Sequence, residues 1–248
     1  MDNPGYIALS RLVAQNRATA VLAHNMANAE TPGFRASRPV FADHLERQRG
    51  AQPVRGGESL HFAMDRATWR DESAGPVQTT GNPLDVAISG EGLFSVQTPR
   101  GERYTRAGRF SLGPDGGIVD MEGNALLDTG GNPLRVAPGD TRLTIKGDGT
   151  LSSENGEIGK LRVVRFAEPQ RLQAEGDRLL AAGAGQAPEV IERPALVQGA
   201  LEGSNVRPVL EITRLTAETR EFQFMAQFAE KEGERLSGAV ERILRKRS

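Results

Sequence analysis

The two ends of this chain carry long helical patterns, and the region between them consists of short strand-like runs, which limits the folds open to it. From about residue 4 to residue 28, no Gly or Pro interrupts the sequence after Gly5. Apolar or small residues alternate at spacings of three and four, the seam pattern of a coiled coil. The seam residues are Tyr6, Leu9, Val13, Asn16, Ala20, Ala23 and Ala27. A second stripe beside it consists of Leu12, Gln15, Thr19, Leu22 and Met26.

The C-terminal pattern is longer and runs from about Asn205 to Arg247. Its seam consists of Ile212, Leu215, Thr219, Phe222, Ala226, Ala229, Gly233, Leu236, Val240 and Ile243. At 1.5 Å per residue, such a helix would extend about 60 Å, far beyond an average globular helix. Phe224, Met225 and Phe228 lie off this seam. Because more than one face is apolar, the helix is predicted to need more than one partner.

Between the helical patterns, from Val77 to about Ile191, short apolar runs alternate with turn signals. Runs such as LDVAI, LFSVQT and KLRVVRF are predicted to form short strands, joined by hairpins at sequences such as Asn155-Gly156. This spacing is typical of a compact antiparallel all-β domain. We therefore predict an α+β fold, in which long N- and C-terminal helices form a coiled-coil-like domain and a central all-β domain is inserted between them.

The predicted boundaries follow these changes of pattern. They give an N-terminal helical part over residues 1–49, a linker or extended segment over 50–76, a central β-domain over 77–198 and the C-terminal long helix over 199–248. The N-terminal helix itself is expected to end at Thr31-Pro32-Gly33, since proline disfavours helix in the residue before it.

The composition argues against an enzyme and against a nucleic-acid partner. The 31 basic and 32 acidic residues give a net charge of -1, whereas phosphate binding requires a clearly basic face. The chain has no cysteine, and His24, His44 and His61 lack the spacing of a metal-binding pair. No constellation of His, Ser or Lys stands beside a carboxylate pair. We expect no catalysis, no cofactor, no metal and no small-molecule substrate.

The N-terminus lacks the basic and apolar regions of a cleavable signal peptide, and no apolar run of roughly 18 residues is present. We therefore do not expect a membrane-spanning helix. Either the protein is cytoplasmic or it leaves the cell by a route that does not read such a signal.

Two terminal helices with matching seams are expected to pack antiparallel, but the pair cannot cover both apolar stripes on each helix. The surplus surface must be buried against other chains, and contacts between unlike surfaces build rings or open helices. The pattern therefore favours a filament subunit. A two-helix stalk that presents the β-domain as a binding module in a simple dimer is the alternative.

Three segments resemble signature sequences of the flagellar rod and hook proteins. NMANAETPGF, residues 25–34, resembles their N-terminal signature. TGNPLDVAISGEGLFSV, residues 80–96, followed by YTRAGRFSL, residues 104–112, resembles their core signature. GALEGSNVRPVLEITRLTAETREFQ, residues 199–223, resembles their C-terminal signature. The matches have the order and spacing of the family and together span nearly the whole chain.

Within the family, the opening MDNPGYIALSRLVAQNRA and the segment FAMDRATWRDESAGPVQTTGNPLDVAI are closer to the proximal-rod type than to the distal-rod type, which is the alternative. One departure is His24, where the family often has Asn.

The resemblance implies a structural role. The terminal helices of such proteins form the inner layer of a hollow axial tube, and the β-domain lies outside it. The subunit would be exported through the flagellar type III apparatus without a cleavable signal peptide. It would then join other rod proteins, proximal and distal, as a helical oligomer in the periplasmic rod, which transmits torque from motor to hook.

The candidate assembly residues come from the helical stripes and from the signature segments. From the stripes they are Leu9, Leu12, Val13, Leu22, Ile212, Leu215, Phe222, Phe224, Met225, Phe228, Leu236 and Val240. From the signatures they are Asn25, Asn28, Thr31, Gly33, Phe34, Ser204, Asn205 and Val206.

Overall fold

The computed structural model describes residues 3–46, 60–176 and 178–245. Two long helices, α1 over Asn3–Ala27 and α2 over Pro208–Arg245, flank a region rich in strands, which confirms the predicted α+β class. The strands, in chain order, are β1 Ser37–Glu46, β2 Leu60–Arg70, β3 Val77–Thr79, β4 Val86–Ile88, β5 Leu93–Thr98, β6 Gly101–Thr105, β7 Ser111–Leu112, β8 Ile118–Val119, β9 Ala125–Leu126, β10 Thr144–Ile145, β11 Thr150–Ser153, β12 Gly156–Lys160, β13 Val163–Arg165, β14 Gln173–Ala174, β15 Leu180–Ala181, β16 Glu189–Val190, β17 Leu196–Gln198 and β18 Ala200–Glu202.

The chain divides into two compact units. The first, here called the helical unit, comprises Met1–Ala27, Ser37–Asp71 and Arg207–Ser248. The second, here called the β unit, comprises Asn28–Ala36 and Glu72–Val206. The polypeptide therefore passes between the units four times, whereas the predicted β-domain over residues 77–198 would be a simple insertion.

In the helical unit, α1 and α2 run antiparallel. Gln15 Nε2 donates to Glu221 Oε2 at 3.2 Å, and Asn25 Nδ2 lies 3.4 Å from Glu211 Oε2, so the numbering falls along α2 as it rises along α1. Pro208 occupies the first turn of α2, where its missing N–H leaves no helical hydrogen bond unmade. Whether the two helices supercoil as a coiled coil stays a prediction.

The side of α1 that packs inward is not the predicted seam. Leu9 and Val13 are 57% and 63% exposed, and the later members of the seam are also exposed. The second stripe is turned inward instead: Gln15 and Leu22 are buried, together with Ala14 and Ala18. This inner face also carries Gln15 and Asn25, which make the polar contacts to α2 given above.

The helical unit also contains a hairpin that the sequence analysis did not assign. β1 and β2 pair antiparallel from Ser37 opposite Arg70 to Glu46 opposite Leu60, with a register shift between Val40 and Phe41. β1 falls within the predicted N-terminal helical part and β2 within the predicted linker. Residues 47–59, which belong to these two predicted segments, lie outside the described part of the chain. The alternation LHFAM at the start of β2 is the period-two signal that could have predicted it.

The β unit holds the main hydrophobic core. Its nine-stranded sheet has the order β14-β15-β6-β5-β9-β8-β7, with β13 and β16 paired beside β5, and a three-stranded sheet has the order β10-β11-β12. The pairs are antiparallel, as the hairpin signals predicted. Phe94 and Phe110 meet edge to face at 5.2 Å between ring centroids, and the fully buried side chains around them include Val96, Leu126 and Leu161.

Candidate assembly site

The outer face of α1 is a continuous stripe of small and apolar residues that nothing in the described chain covers. We call it the outer stripe; its described side chains are Leu9, Val13, Asn16, Ala20, Ala23 and Ala27, all of them exposed. Five of these six residues are apolar. A face of this composition is unusual on a protein that acts alone and is typical of a surface that meets another chain.

A second uncovered stripe lies on α2. Leu210, Ala217, Phe224 and Phe228 are exposed and stand seven, seven and four residues apart, which places them on one side of the helix. Phe224 is 77% exposed, an extreme value for a large aromatic side chain. We call this set the aromatic stripe. Because α1 packs on another side of α2, this stripe is free to contact a neighbour.

The predicted stripe residues therefore separate into two groups. Leu9, Val13, Ile212, Phe222, Phe224 and Phe228 are exposed, whereas Leu22 is buried and Leu12, Leu215 and Met225 are partly buried. The second group contributes to packing within the chain. Leu236 and Val240 belong to α2, but their side chains lie outside the described part of the structure.

Asn25, from the N-terminal signature, is fully buried in the helical unit and clamps the start of β1. Its Oδ1 accepts a hydrogen bond from Ser37 N and its Nδ2 donates to Ser37 O, both at 2.9 Å. Beside it, the fully buried carboxylate of Glu211 accepts from Arg38 Nη1 at 2.6 Å and from Arg214 Nη1 at 3.0 Å. Glu211 stands in the first turn of α2, where a negative charge is favourable.

The remaining N-terminal signature residues form a turn in the β unit. Thr31 N donates to Asn28 O and Phe34 N donates to Thr31 O, both at 3.2 Å. Gly33 has a φ of +70°, and a Cβ placed on it would stand 2.5 Å from backbone atoms of Arg106 and Ala107. Only glycine fits this position, both for its backbone conformation and for the space available.

The C-terminal signature residues bind that turn from the other end of the chain. Asn205 Oδ1 accepts from Ala36 N at 2.7 Å, and Asn205 Nδ2 donates to Ser73 O at 2.9 Å. Ser204 and Val206 are buried beside it, and Val206 N donates to Ser204 Oγ at 3.2 Å. These signature residues are held by contacts within the chain, and their direct part in assembly stays a prediction.

A buried ionic cluster, which sequence reasoning missed, joins the core signature to the C-terminal signature. Arg106 Nε contacts Glu202 Oε2 at 2.5 Å, and the Arg106 guanidinium also donates to the carbonyls of Ile88, Gly90 and Gly92. Burial lowers the pKa of Arg106, against the opposing effect of Glu202. Both residues stand inside signature segments, but no sequence signal pairs residues so far apart in the chain.

Glu202 also holds the segments that enter and leave the β unit. Its Oε1 accepts from Gly75 N at 3.1 Å and lies 3.7 Å from Arg35 Nη2, while its carbonyl accepts from Gly33 N at 2.8 Å. Arg35 in turn pairs with Glu72 at 2.8 Å. One carboxylate therefore connects four chain segments of the β unit.

The described residues contain no grouping of side chains typical of a metal centre. Within the part of the chain that the structure covers, no three or more His, Asp or Glu side chains are grouped to hold a metal ion. Nor is any helix in the described residues long and apolar enough to cross a bilayer.

Comparison with known proteins gives a consistent family assignment. Three family profiles match the chain: "Flagella basal body rod protein" over residues 6–35, "Flagellar hook protein FlgE/F/G D1 domain" over 87–153 and "Flagellar basal body rod FlgEFG protein C-terminal" over 197–239. The flagellar basal-body rod protein FlgF of Caulobacter vibrioides is 35% identical over 98% of both chains. FlgF of Salmonella typhimurium is 34% identical, covering 90% of this chain and 91% of its own. The rod protein FlgG of Agrobacterium fabrum is 30% identical over 88% of this chain and 90% of its own.

Proposed function

The chain belongs to the flagellar basal-body rod protein family, and from this premise we infer that it is a structural subunit of the bacterial flagellar rod, of the FlgF type. It is a building block and not an enzyme, and it assembles with other rod and hook proteins in the basal body. The binding-module alternative loses its support, because the profile matches cover both helical ends and the strand region between them.

We place the subunit in the proximal rod. The FlgF protein of Caulobacter vibrioides is 35% identical over 98% of this chain, whereas the FlgG protein of Agrobacterium fabrum is 30% identical over 88% of it. A distal position, as for FlgG, is the alternative. The subunit would reach the periplasm through the flagellar type III export apparatus.

One observation carries the proposed mode of assembly: the two helices expose two different apolar stripes. The outer stripe of α1 is built mainly from small residues, while the aromatic stripe of α2 carries Phe224 and Phe228. Large side chains of one chain can insert between small side chains of the next, as knobs fit holes. Because the two stripes differ, such a contact is heterologous, and a heterologous contact whose rotation does not close into a ring continues as an open helix, the geometry of a rod.

Folding of the helices would then be coupled to assembly. A helix that leaves an apolar stripe in water gains stability when a neighbour buries it, and the apparent stability rises with the concentration of partners. In the finished rod, this burial would tie each subunit to its neighbours and let torque pass from one to the next.

Deletion of the gene in its own host, followed by a swimming assay and electron microscopy of basal bodies, tests the function. We expect loss of swimming with rods that stop short, and restoration by the unchanged chain. Short rods that contain the other proximal subunits and end where the distal rod would begin would favour the distal alternative, while normal rods and normal swimming would overturn the proposal.

A further inference from the structure

The orientation of α1 poses a question that apolar burial alone does not answer. The outer stripe has one polar residue, Asn16, among its six described side chains, whereas the stripe that packs inward contains both Gln15 and Thr19. The inward stripe carries Leu12, Leu22 and Met26, so both stripes hold apolar side chains that could be buried. The structure buries the inward stripe and turns the outer stripe to the solvent.

The polar contacts of the inner face account for this choice. Asn25 reaches both backbone groups of Ser37 and lies 3.4 Å from Glu211, and it can do so only with its own face turned inward. Glu211 is fully buried and depends on Arg38 and Arg214 for its hydrogen bonds. Farther along α1, Gln15 meets Glu221 on α2.

A rotation of α1 by a single residue, about 100°, would turn Asn25 away from these partners. It would leave Glu211 without one of its donors and Ser37 without both partners that Asn25 provides. Buried polar groups and charges without partners are strongly unfavourable, so these contacts disfavour the rotated arrangements of α1.

We propose that Asn25, Glu211 and Arg38 act as a positioning cluster that fixes the rotation and register of α1 against α2, and so selects the outer stripe as the face presented to neighbouring subunits. The inference deepens the proposed rod function and rests on it for the role of that face. Single polar residues that fix register and partner choice are well attested in helix packing.

Because the natural chain has no cysteine, single cysteines can report which face of α1 is accessible. Ala20→Cys places a thiol on the exposed outer stripe, and Leu22→Cys places one on the buried inner face. The rate of maleimide labelling is measured for each in the full-length purified chain. We expect Cys at position 20 to react at least about tenfold faster than Cys at position 22, because the latter must wait for local opening. Equal rates would overturn the proposal, since α1 would then not be held in one orientation.

The same two cysteines are then introduced into the double variant Asn25→Leu/Glu211→Leu, which replaces the polar pair with apolar residues that can still pack. We expect circular dichroism to show unchanged helix content while the ratio of the two labelling rates falls to near one. The matched control is Gln223→Leu/Glu230→Leu, which makes the same kinds of change at exposed positions of α2 and should keep the original ratio.

A double variant that keeps the tenfold difference would show that apolar packing sets the orientation, and would overturn the proposal. If the double variant loses helix content, the labelling rates are measured instead in the Glu211→Gln background, because glutamine keeps the shape of the Glu211 side chain and removes its charge. If the ratio of the two labelling rates falls several-fold in Glu211→Gln, the positioning cluster is supported, and an unchanged ratio overturns the proposal. The labelling is read in the isolated chain, so its failure would leave the rod function standing, which only the deletion experiment can overturn.

Discussion

Arg106 and Glu202 form an ion pair whose side chains are almost completely buried, with Arg106 Nε and Glu202 Oε2 2.5 Å apart. The guanidinium stays charged in proteins, so it needs the carboxylate and the three backbone carbonyls around it. Through this pair, the core signature and the C-terminal signature of the family are held in one place in the β unit.

Glu202→Gln should therefore destabilise the β unit. Removal of one partner from a buried ion pair leaves the other charge without compensation, and we expect a loss of about 3 kcal/mol in the free energy of unfolding. Urea denaturation followed by the β-sheet signal in circular dichroism measures it, since the one tryptophan, Trp69, lies in the helical unit. The matched control is Glu189→Gln, which removes the exposed carboxylate paired with Arg165 and should change the midpoint little. Equal effects of the two changes would contradict the importance of the buried pair.

Gly33→Ala should be far more damaging than Gly81→Ala, although both glycines have positive φ angles, +70° and +76°. The added Cβ at position 33 would stand 2.5 Å from the backbone of Arg106 and Ala107, whereas at position 81 nothing lies within 4 Å. We expect Gly81→Ala to lower the free energy of unfolding by about 1 kcal/mol, from the backbone conformation alone. We expect Gly33→Ala to lower it by about 3 kcal/mol or more. Thermal denaturation of both variants gives the comparison, and similar melting temperatures would show that the turn yields to the clash.

Phe224→Asp should abolish swimming without unfolding the chain. The side chain is 77% exposed, so a charge there disturbs little within the chain but would have to be buried unpaired at a subunit contact. The neighbouring exposed change Gln223→Asp adds the same charge outside the aromatic stripe and serves as the control. Swimming halos, basal-body micrographs and circular dichroism are measured together. A motile Phe224→Asp strain would remove the aromatic stripe from the assembly surface.

Phe224 is a cleaner target than Leu215. Leu215 is partly buried in the helical unit, so Leu215→Asp would damage both the fold and the assembly and could not separate them. Phe222, at 39% exposure, is intermediate between the two.

Acid should strengthen the pairing of the helices through Glu218. Burial, followed by the nearby charge of Glu221, raises the pKa of Glu218 above its ordinary value of 4.5. Protonation therefore favours the folded state: the contribution is complete below pH 4.5 and is lost as the pH rises through the raised value. Glu218→Gln should remove this dependence and raise the melting temperature of the helices at pH 7 by about 1–2 °C.

The measurement is the melting curve of the helical circular dichroism signal between pH 4 and pH 8, with Glu230→Gln, at an exposed position of α2, as the control. The carboxyl of Glu154 contributes only at the acid end of this range. Hydrogen bonds from Thr141 and Arg142 hold its pKa at about 2, so its stabilising effect is complete above its ordinary value of 4.5 and is lost as the pH falls from 4.5 towards 2. A helical melting temperature that falls on acidification from pH 7 to pH 5 would contradict the Glu218 prediction.

The helices and hairpins, which depend on the local spacing of residue types, could be predicted from the sequence. The spacing of apolar residues located α1 and α2, and turn sequences such as Asn155-Gly156 located the hairpins of the β unit. Both depend on neighbours within a few residues, where spacing and turn chemistry dominate. The antiparallel course of the helices followed from their positions at the two ends of an intervening domain.

The contacts that depend on distant residues could not be predicted. Nothing in the sequence indicates that Asn25 will meet Glu211, 186 positions away, or that Arg106 will meet Glu202. Apolar spacing pointed to the outer stripe as the seam, whereas the structure packs the face that carries Gln15 and Asn25 inward. The β1–β2 hairpin was missed because a Gly-rich segment beside it suggested a linker.

The four passages of the backbone between the two units, after Ala27, Ala36, Asp71 and Val206, have a mechanical consequence. A domain inserted once into its host is tethered by two peptide strands, which share any twisting load between them. In a rotating rod, the load between the two units of a subunit would be divided over four covalent connections, and each would carry a smaller share of a given torque. Four covalent connections would resist the twisting of one unit against the other more strongly than two would.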